Sequence, residues 1–303
     1  MGPMPLLLPL LLLLAPLSTA MRVLVTGANK GIGRAIAQAV LEAQPEASVL
    51  LGSRNMARGE EAAAVISKVV PGGANRIDVV QLDVTDAESV RKASERVAEM
   101  FGTDEPPLYG IVNNAGIGFG KGFEATLETN LYGAKRVCDA FLPLLSPSRG
   151  RIVNIASASG PMFVSGCSPD DARVLIDPEV TWEAIEKLLS KYRGMTDYDD
   201  SAYGLSKACL SAYTKMMANA HPSLKINSVT PGFINTDLTR GMGATNPPEK
   251  GTKAPLYCLF GELEGNGRFY GSDAQRSPLD RYRAPGSPPY EELELTEAKE
   301  PLP

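Results

Sequence analysis

Thr26-Gly27-Ala28-Asn29-Lys30-Gly31-Ile32-Gly33 stands directly after the β-branched run at 22–26 (RVLVT) and opens an amphipathic stretch that reaches Ala43. Strand, glycine turn and helix in that order form the first half of a βαβ unit. The glycines let the backbone turn sharply, and the helix N-terminus presents free N–H donors and a partial positive charge to a phosphate. Working outward, the pattern repeats. A strand is expected at 48–52 and a helix at 56–70, then a strand at 77–82 and a helix at 86–101. A strand at 108–113, a long helix at 124–145 and a strand at 151–156 follow. The last quarter adds a helix at 201–220, a strand at 225–230, a helix near 250–260 and a short strand at 268–271. Such alternation predicts an α/β fold: a Rossmann-type doubly wound parallel sheet in one domain, with helices on both faces.

Composition narrows the function. Of 303 residues, 44% are apolar and 21% charged, enough to build a core and too apolar for general disorder. Thirty Lys and Arg against 35 Asp and Glu give −5, with no concentration of basic residues, so no nucleic acid partner is expected. The single histidine, His221, precedes a proline, which excludes multi-histidine metal sites and argues against a histidine-centred triad. Cys138, Cys167, Cys209 and Cys258 lie far apart, so neither a zinc knuckle nor a disulfide framework is expected, and no metal.

Three regions follow: an apolar segment at 1–20, the domain at 21–276, and a Pro-rich acidic tail at 277–303 expected to lack packed structure. The first segment has nine leucines and no charge, with Ser18 and Ala20 spaced as before a signal-peptidase cut. It also lacks a basic N-terminal region, and Met21 is itself a possible start, so a targeting signal and a simple extension both stand. Pro5, Pro9 and Pro16 argue against a stable transmembrane helix. With no N-x-S/T sequon anywhere, a cytoplasmic location is expected, or the secretory pathway or an organelle if 1–20 act as a signal.

The chemistry is carried by three further sites. The second strand ends Gly52-Ser53-Arg54, where a carboxylate would receive an adenosine 2′-hydroxyl. Arg54 and Lys30, two cations beside a hydroxyl, instead suit a 2′-phosphate, so NADP(H) is preferred over NAD(H). Ser157 follows the fifth strand at its carboxyl end, where such sheets place ligands. Tyr203 and Lys207 are four apart on one helical face, where an ammonium lowers a phenol that ordinarily titrates near ~10.

Together, TGANKGIG (26–33), LDV (82–84), NNAG (113–116), Asn130, Ser157, YGLSK (203–207) and PGFINT (231–236) resemble the short-chain dehydrogenase/reductase family over about 22–276. The resemblance implies that Tyr203 is the general acid/base, that Lys207 lowers its pKa and binds the nicotinamide ribose, and that Ser157 polarises a carbonyl. It implies that Asn130 anchors a proton-relaying water. Cofactor contacts are implied for Gly27, Asn29, Lys30, Gly31, Ile32 and Gly33 in the glycine turn, with Arg54. Asp83 and Val84 would face the adenine, Asn113, Ala115 and Gly116 would line the cleft, and Pro231, Gly232, Ile234 and Thr236 would meet the carboxamide.

One departure is informative. Most members of that family join the serine to the tyrosine by a short connection, whereas here an insertion fills about 161–200, with a helical stretch near 182–192. That insertion and the sequence NKGIG resemble the monomeric carbonyl reductases, which implies a monomer. The loop from Gly116 to Asn130 looks shorter than in those relatives, and the tail has no counterpart. The expected activity is NADPH-dependent reduction of an aldehyde, ketone or quinone, with Tyr203 as proton donor. Two alternatives stand beside it: a retinoid- or steroid-type alcohol dehydrogenase addressed by 1–20, and a dinucleotide-binding sensor without turnover, against which the four intact catalytic residue types argue. Phe119, Phe123, Met162, Phe163 and Phe233 are rim candidates, although each reads more readily as core.

Overall fold

Val23, Leu24 and Val25 are apolar without a break, the pattern of a strand covered on both faces. In the computed structural model, which describes residues 21–193, 195 and 201–290, they form the central strand β1 (Met21–Val25). On one side β1 pairs in parallel with β2 (Ala47–Ser53), Val23 opposite Val49, and β2 pairs with β3 (Ile77–Gln81). On the other side it pairs with β4 (Gly110–Asn113), Val23 opposite Gly110. Beyond β4 run β5 (Arg151–Ile155), β6 (Lys225–Val229) and β7 (Phe269–Tyr270), all parallel, and β8 (Arg276–Ser277) closes the edge antiparallel to β7. The order β3-β2-β1-β4-β5-β6-β7-β8 reverses between β1 and β4, opening a crevice at the carboxyl ends of those strands.

Alternate residues of β1 feed two cores. Val23 and Val25 meet α1 (Gly31–Ala43), α2 (Met56–Val69) and α10 (Lys253–Phe260) through Ile36, Val40, Ile66 and Leu259. Leu24 faces the opposite layer, where α3 (Ala87–Phe101), α5 (Gly133–Phe141) and α9 (Ala202–Ala220) contribute Val97, Phe141 and Tyr213. Doubly wound architecture is therefore as the alternation predicts.

Three local features differ from expectation. The long helix at 124–145 is broken into α4 (Phe123–Leu127), a π-helical turn at Glu128–Tyr132, then α5. Such a turn inserts one residue into the ladder and re-aims the side chains around it, here Asn130. The insertion holds three helices, α6 (Ser159–Gly166), α7 (Pro169–Ile176) and α8 (Trp182–Arg193), of which only α8 was legible. Ile185, Leu188 and Leu189 of α8 are buried, and Trp182 meets Tyr132 and Tyr213 edge-on, each at 5.9 Å, so the insertion covers α5 and α9. Asp171 of α7 pins α8 by accepting from Lys191 at 2.6 Å and from the Tyr192 hydroxyl at 2.8 Å.

The third difference concerns the tail. Residues 277–290, expected without packed structure, are held by Arg283, which pairs with Asp273 at 2.8 Å while only 6% of its side chain is exposed. Composition marks those residues as solvated because it cannot show that a charge meets its partner. Residues 194, 196–200, 291–303 and the apolar segment 1–20 lie outside the described residues. Among the described residues no helix is long and apolar enough to cross a membrane.

Candidate active site

The glycine turn is held from beneath by the end of β4. Asn114 donates from Nδ2 to the carbonyls of Thr26 (2.9 Å) and Gly27 (3.2 Å), and Thr26 Oγ1 accepts from the backbone N–H groups of Asn114 and Ala115, both at 3.0 Å. Gly27 (φ 62°) and Gly31 (φ 55°) occupy left-handed conformations that side chains rarely adopt. At Gly33 a Cβ would lie 2.6 Å from the Gly27 carbonyl and drive into the Asn114 amide, so the helix comes closer to the strand than any side chain allows. Lys30, at the N-cap, gives α1 no side-chain cap, so its first N–H groups face outward for an anion. Asn29 and Ile32 are half-buried in the same turn. This cradle fits a dinucleotide pyrophosphate.

Beyond the end of β2, Arg54, Gln81, Asp83, Ser89 and Lys92 border an open basin of about 490 Å³. Arg54 is exposed and takes no hydrogen-bond or ion-pair partner among the described residues, whereas the Ser53 hydroxyl donates to the Asn55 carbonyl. Lys30 differs from expectation: its Nζ lies 2.6 Å from Asp237 Oδ2. Asp83 accepts from the Thr85 N–H (3.0 Å) and hydroxyl (2.7 Å), which shapes its own turn. The Val84 side chain is buried toward Gly133, and the Val84 carbonyl accepts from Arg136. Asn113 also departs from its expected place in the cleft. Its side chain turns into the core, donating to Asn154 Oδ1 at 2.8 Å and Cys138 Sγ at 3.2 Å.

The opposite wall is the segment 231–236. Pro231 and Ile234 are buried, Gly232 has φ 93°, and Thr236 Cγ2 would lie 3.5 Å from a Cβ at Gly31, so this segment closes on the glycine turn.

At the centre, Ser157 follows the end of β5 and the first turn of α9 delivers Tyr203, whose phenol lies beside the Ser157 side chain. Ser157 Oγ accepts from the Ser159 N–H at 3.2 Å, which fixes its rotamer. One turn along α9, Lys207 is 4% exposed and donates to the Ile155 carbonyl at 2.8 Å. A Cβ at Gly116 would lie 3.1 Å from Asn130 Oδ1 and 3.5 Å from Lys207 Nζ, so only glycine leaves this corner open. Asn130 is fully engaged: it accepts from the Ile117 N–H (2.9 Å) and donates to the Ile117 carbonyl (3.0 Å) and to Ser206 Oγ (3.1 Å). Ser206 in turn donates to the Tyr203 carbonyl at 2.8 Å, linking the π-turn to α9.

Burial dominates the electrostatics. It pushes the Tyr203 phenol up, opposed by the neighbouring Ser157 side chain, and it lowers Lys207 from 10.5 to about 8. The expected lowering of Tyr203 by Lys207 is not what governs here, because desolvation acts on both groups and Lys207 Nζ sits 5.8 Å from the phenol ring centre. Phe119 covers the outer side of Tyr203, ring centres 4.5 Å apart.

Residues 21–169 match the family model for short chain dehydrogenases. "Carbonyl reductase [NADPH] 1" of Sus scrofa is 33% identical over 271 residues, spanning 81% of this chain and 90% of that protein. The chain belongs to the short-chain dehydrogenase family. "(+)-Neomenthol dehydrogenase" of Arabidopsis thaliana is 34% identical over 77% of this chain and 88% of that protein. Salutaridine reductase from Papaver somniferum superimposes with a TM-score of 0.70 at 26% identity, over 82% of this chain and 99% of that one.

In this short-chain dehydrogenase the crevice gathers the glycine turn, Arg54, Asn130, Ser157, Tyr203, Lys207 and the 231–236 segment. It gathers neither the Asn113 nor the Val84 side chain, whereas Asp83 borders the open basin. Sequence reading passed over Asn114, Ser206 and Asp237. The first two stand inside quoted motifs and fall on the site-facing side by spacing, whereas nothing in the sequence marks Asp237 as the partner of Lys30.

Proposed function

We propose that this chain is an NADPH-dependent carbonyl reductase that converts an aldehyde, ketone or quinone to the alcohol. The observation that carries the reading is the meeting of Ser157, Tyr203 and buried Lys207 at the carboxyl end of β5, with Lys207 held on the Ile155 carbonyl. The relatives named as NADPH carbonyl reductases support the same chemistry. NADPH, when bound, supplies the hydride. Gly27, Gly31 and Gly33, with the open N-terminus of α1, hold the pyrophosphate, and Arg54 takes the 2′-phosphate as a bidentate contact. Ser157 and Tyr203 receive the carbonyl oxygen, and the Tyr203 hydroxyl donates its proton as the alkoxide develops. Burial keeps that phenol protonated at neutral pH, the form a proton donor needs. Lys207 holds the ribose side of the site, and Asn130, fixed by Ile117 and Ser206, keeps the π-turn in place beside it.

The test follows NADPH oxidation by absorbance against a panel of aldehydes, diketones and quinones, with NADH as control. NADPH is expected to be consumed in preference to NADH. Tyr203→Phe is expected to retain NADPH binding while losing about 10²- to 10⁴-fold in turnover, the usual contribution of a positioned proton donor. Demonstrated NADPH binding with no turnover on any acceptor would sink the reading.

A further inference from the structure

The tail residues 277–290 reach two neighbours of the crevice, the turn at 271–273 and the layer that holds α6 and α9. Arg283 is the knot. Its Nε donates to the Pro288 carbonyl (2.8 Å), Nη1 to Asp273 Oδ1 (3.1 Å) and Ser277 Oγ (3.4 Å), and Nη2 to Asp273 Oδ2 (2.8 Å) and the Ser287 carbonyl. All five guanidinium N–H donors are thus engaged. Asp273 is matched in return, since its carboxylate also accepts from the N–H groups of Gly286 (2.8 Å) and Gln275 (3.2 Å). Burial raises the Asp273 carboxyl, but these bonds outweigh it and hold the group down at about 2.

The consequence lies at the two ends of this clasp. On one side, the turn Gly271–Asp273 presses on the 231–236 segment: a Cβ at Gly232 would lie 3.1 Å from Ser272 Cβ, and Gly232 itself has φ 93°. Gly271 is packed as tightly from below, since a Cβ there would lie 2.7 Å from Asp273 Oδ1 and 3.0 Å from Arg283 Nη1. On the other side, Leu279 lines one small cleft with Gly160, Pro161 and Val164 of α6, the helix that follows Ser157, and packs against the core that includes Val164 and Ala208 of α9.

We infer that Arg283 is a positioning residue: through Asp273 and Ser272 it sets the 231–236 wall, and through Leu279 it sets α6, so that the space for the carbonyl substrate between them is fixed. It touches neither substrate nor cofactor. The inference rests on the reductase reading for its kinetic consequence, and on geometry alone for its structural one.

Two variants test it in the full chain, Arg283→Met, which keeps the aliphatic stem and removes every donor, and Asp273→Asn, which weakens the clasp from the other partner. Two readouts are taken. Hydrogen exchange, which needs no activity, is expected to quicken at the amides of 231–236 and 159–166 in both variants, with the amides of β1 and β4 unchanged. Steady-state kinetics are expected to show substrate KM raised about tenfold, kcat changed less than threefold, and the NADPH dissociation constant within twofold of the parent. A purely structural role would instead quicken exchange across the whole sheet, or lower kcat with the amount of folded protein, and either result overturns the proposal. So does unchanged exchange at 231–236, or unchanged KM despite quickened exchange. If the parent protein reduces no carbonyl, the reductase reading fails by itself, and the exchange pattern still decides whether Arg283 holds the two walls.

Discussion

Lys30 and Arg54 are both cations at the mouth of the glycine turn, yet they stand in different circumstances. Lys30 is engaged by Asp237, whereas Arg54 is open to the basin. The NADPH preference should therefore rest on Arg54. Arg54→Ala is expected to cut the NADPH-over-NADH ratio of kcat/KM about 10- to 100-fold, the value of a charged hydrogen-bond set, and Lys30→Ala by less than half that effect in free energy. Lys207 offers a second test at this scale. Its burial lowers it from 10.5 to about 8, so between those values the unfolded chain binds more protons than the folded one, and stability rises with pH there. Below about 8 the buried charge costs its full amount. Lys207→Met is accordingly expected to have a higher urea midpoint than the parent at pH 7, the gap closing as pH rises from 8 to 10.5. At this scale the sequence revealed residue types well and directions poorly. Ser157, Tyr203 and Lys207 were legible because strand end and helix spacing dictate where they point. Asn113 was not, because whether it faces crevice or core depends on Cys138 and Asn154, which come from other elements.

The parallel strands and most crossover helices were legible to within a residue or two, since β-branched runs between amphipathic stretches have few other uses, whereas the edge strand β8 was not expected. Elements that depend on partners were not. In the π-turn at Glu128–Tyr132, Asn130 bonds both Ile117 and Ser206, partners from other segments that no local propensity encodes. Helix α6 carries glycines at 160 and 166 and a proline at 161, weak helix formers, and is held by α9 instead: a Cβ at Gly160 would lie 3.1 Å from the Ala208 nitrogen. Helix α8, with its apolar stripe, was legible, and its docking can be tested. Leu189 is fully buried between α8 and the rest of the core. Leu189→Ala is expected to cost about 3 kcal/mol in denaturant unfolding, the usual price of a deleted core leucine. Surface breaks such as Arg173→Ala, at an exposed ion pair with Asp170, should cost under about 0.5 kcal/mol.

For the molecule as a whole, the insertion decides what the sheet's helical face can do. Trp182, Ile185 and Leu189 lie over α5 and α9, so among the described residues the insertion covers the apolar side of those two helices. Light scattering at micromolar concentration is expected to give the mass of one chain, and a dimer would show that another face associates. The sheet order has a further result, in time rather than in space. β1 can complete its second edge only when β4 arrives, and Asn114 reaches back to Thr26 across 88 residues to lock that contact. Among the described residues only β7 and β8 pair antiparallel as neighbours in sequence. Every other pairing waits for a crossover, so refolding should be slow, with the bare edge of β1 its period of greatest exposure to other chains. During synthesis the nucleotide cradle thus exists in sequence long before it exists in shape: its glycines are made first, and the asparagine that holds them comes a third of the chain later.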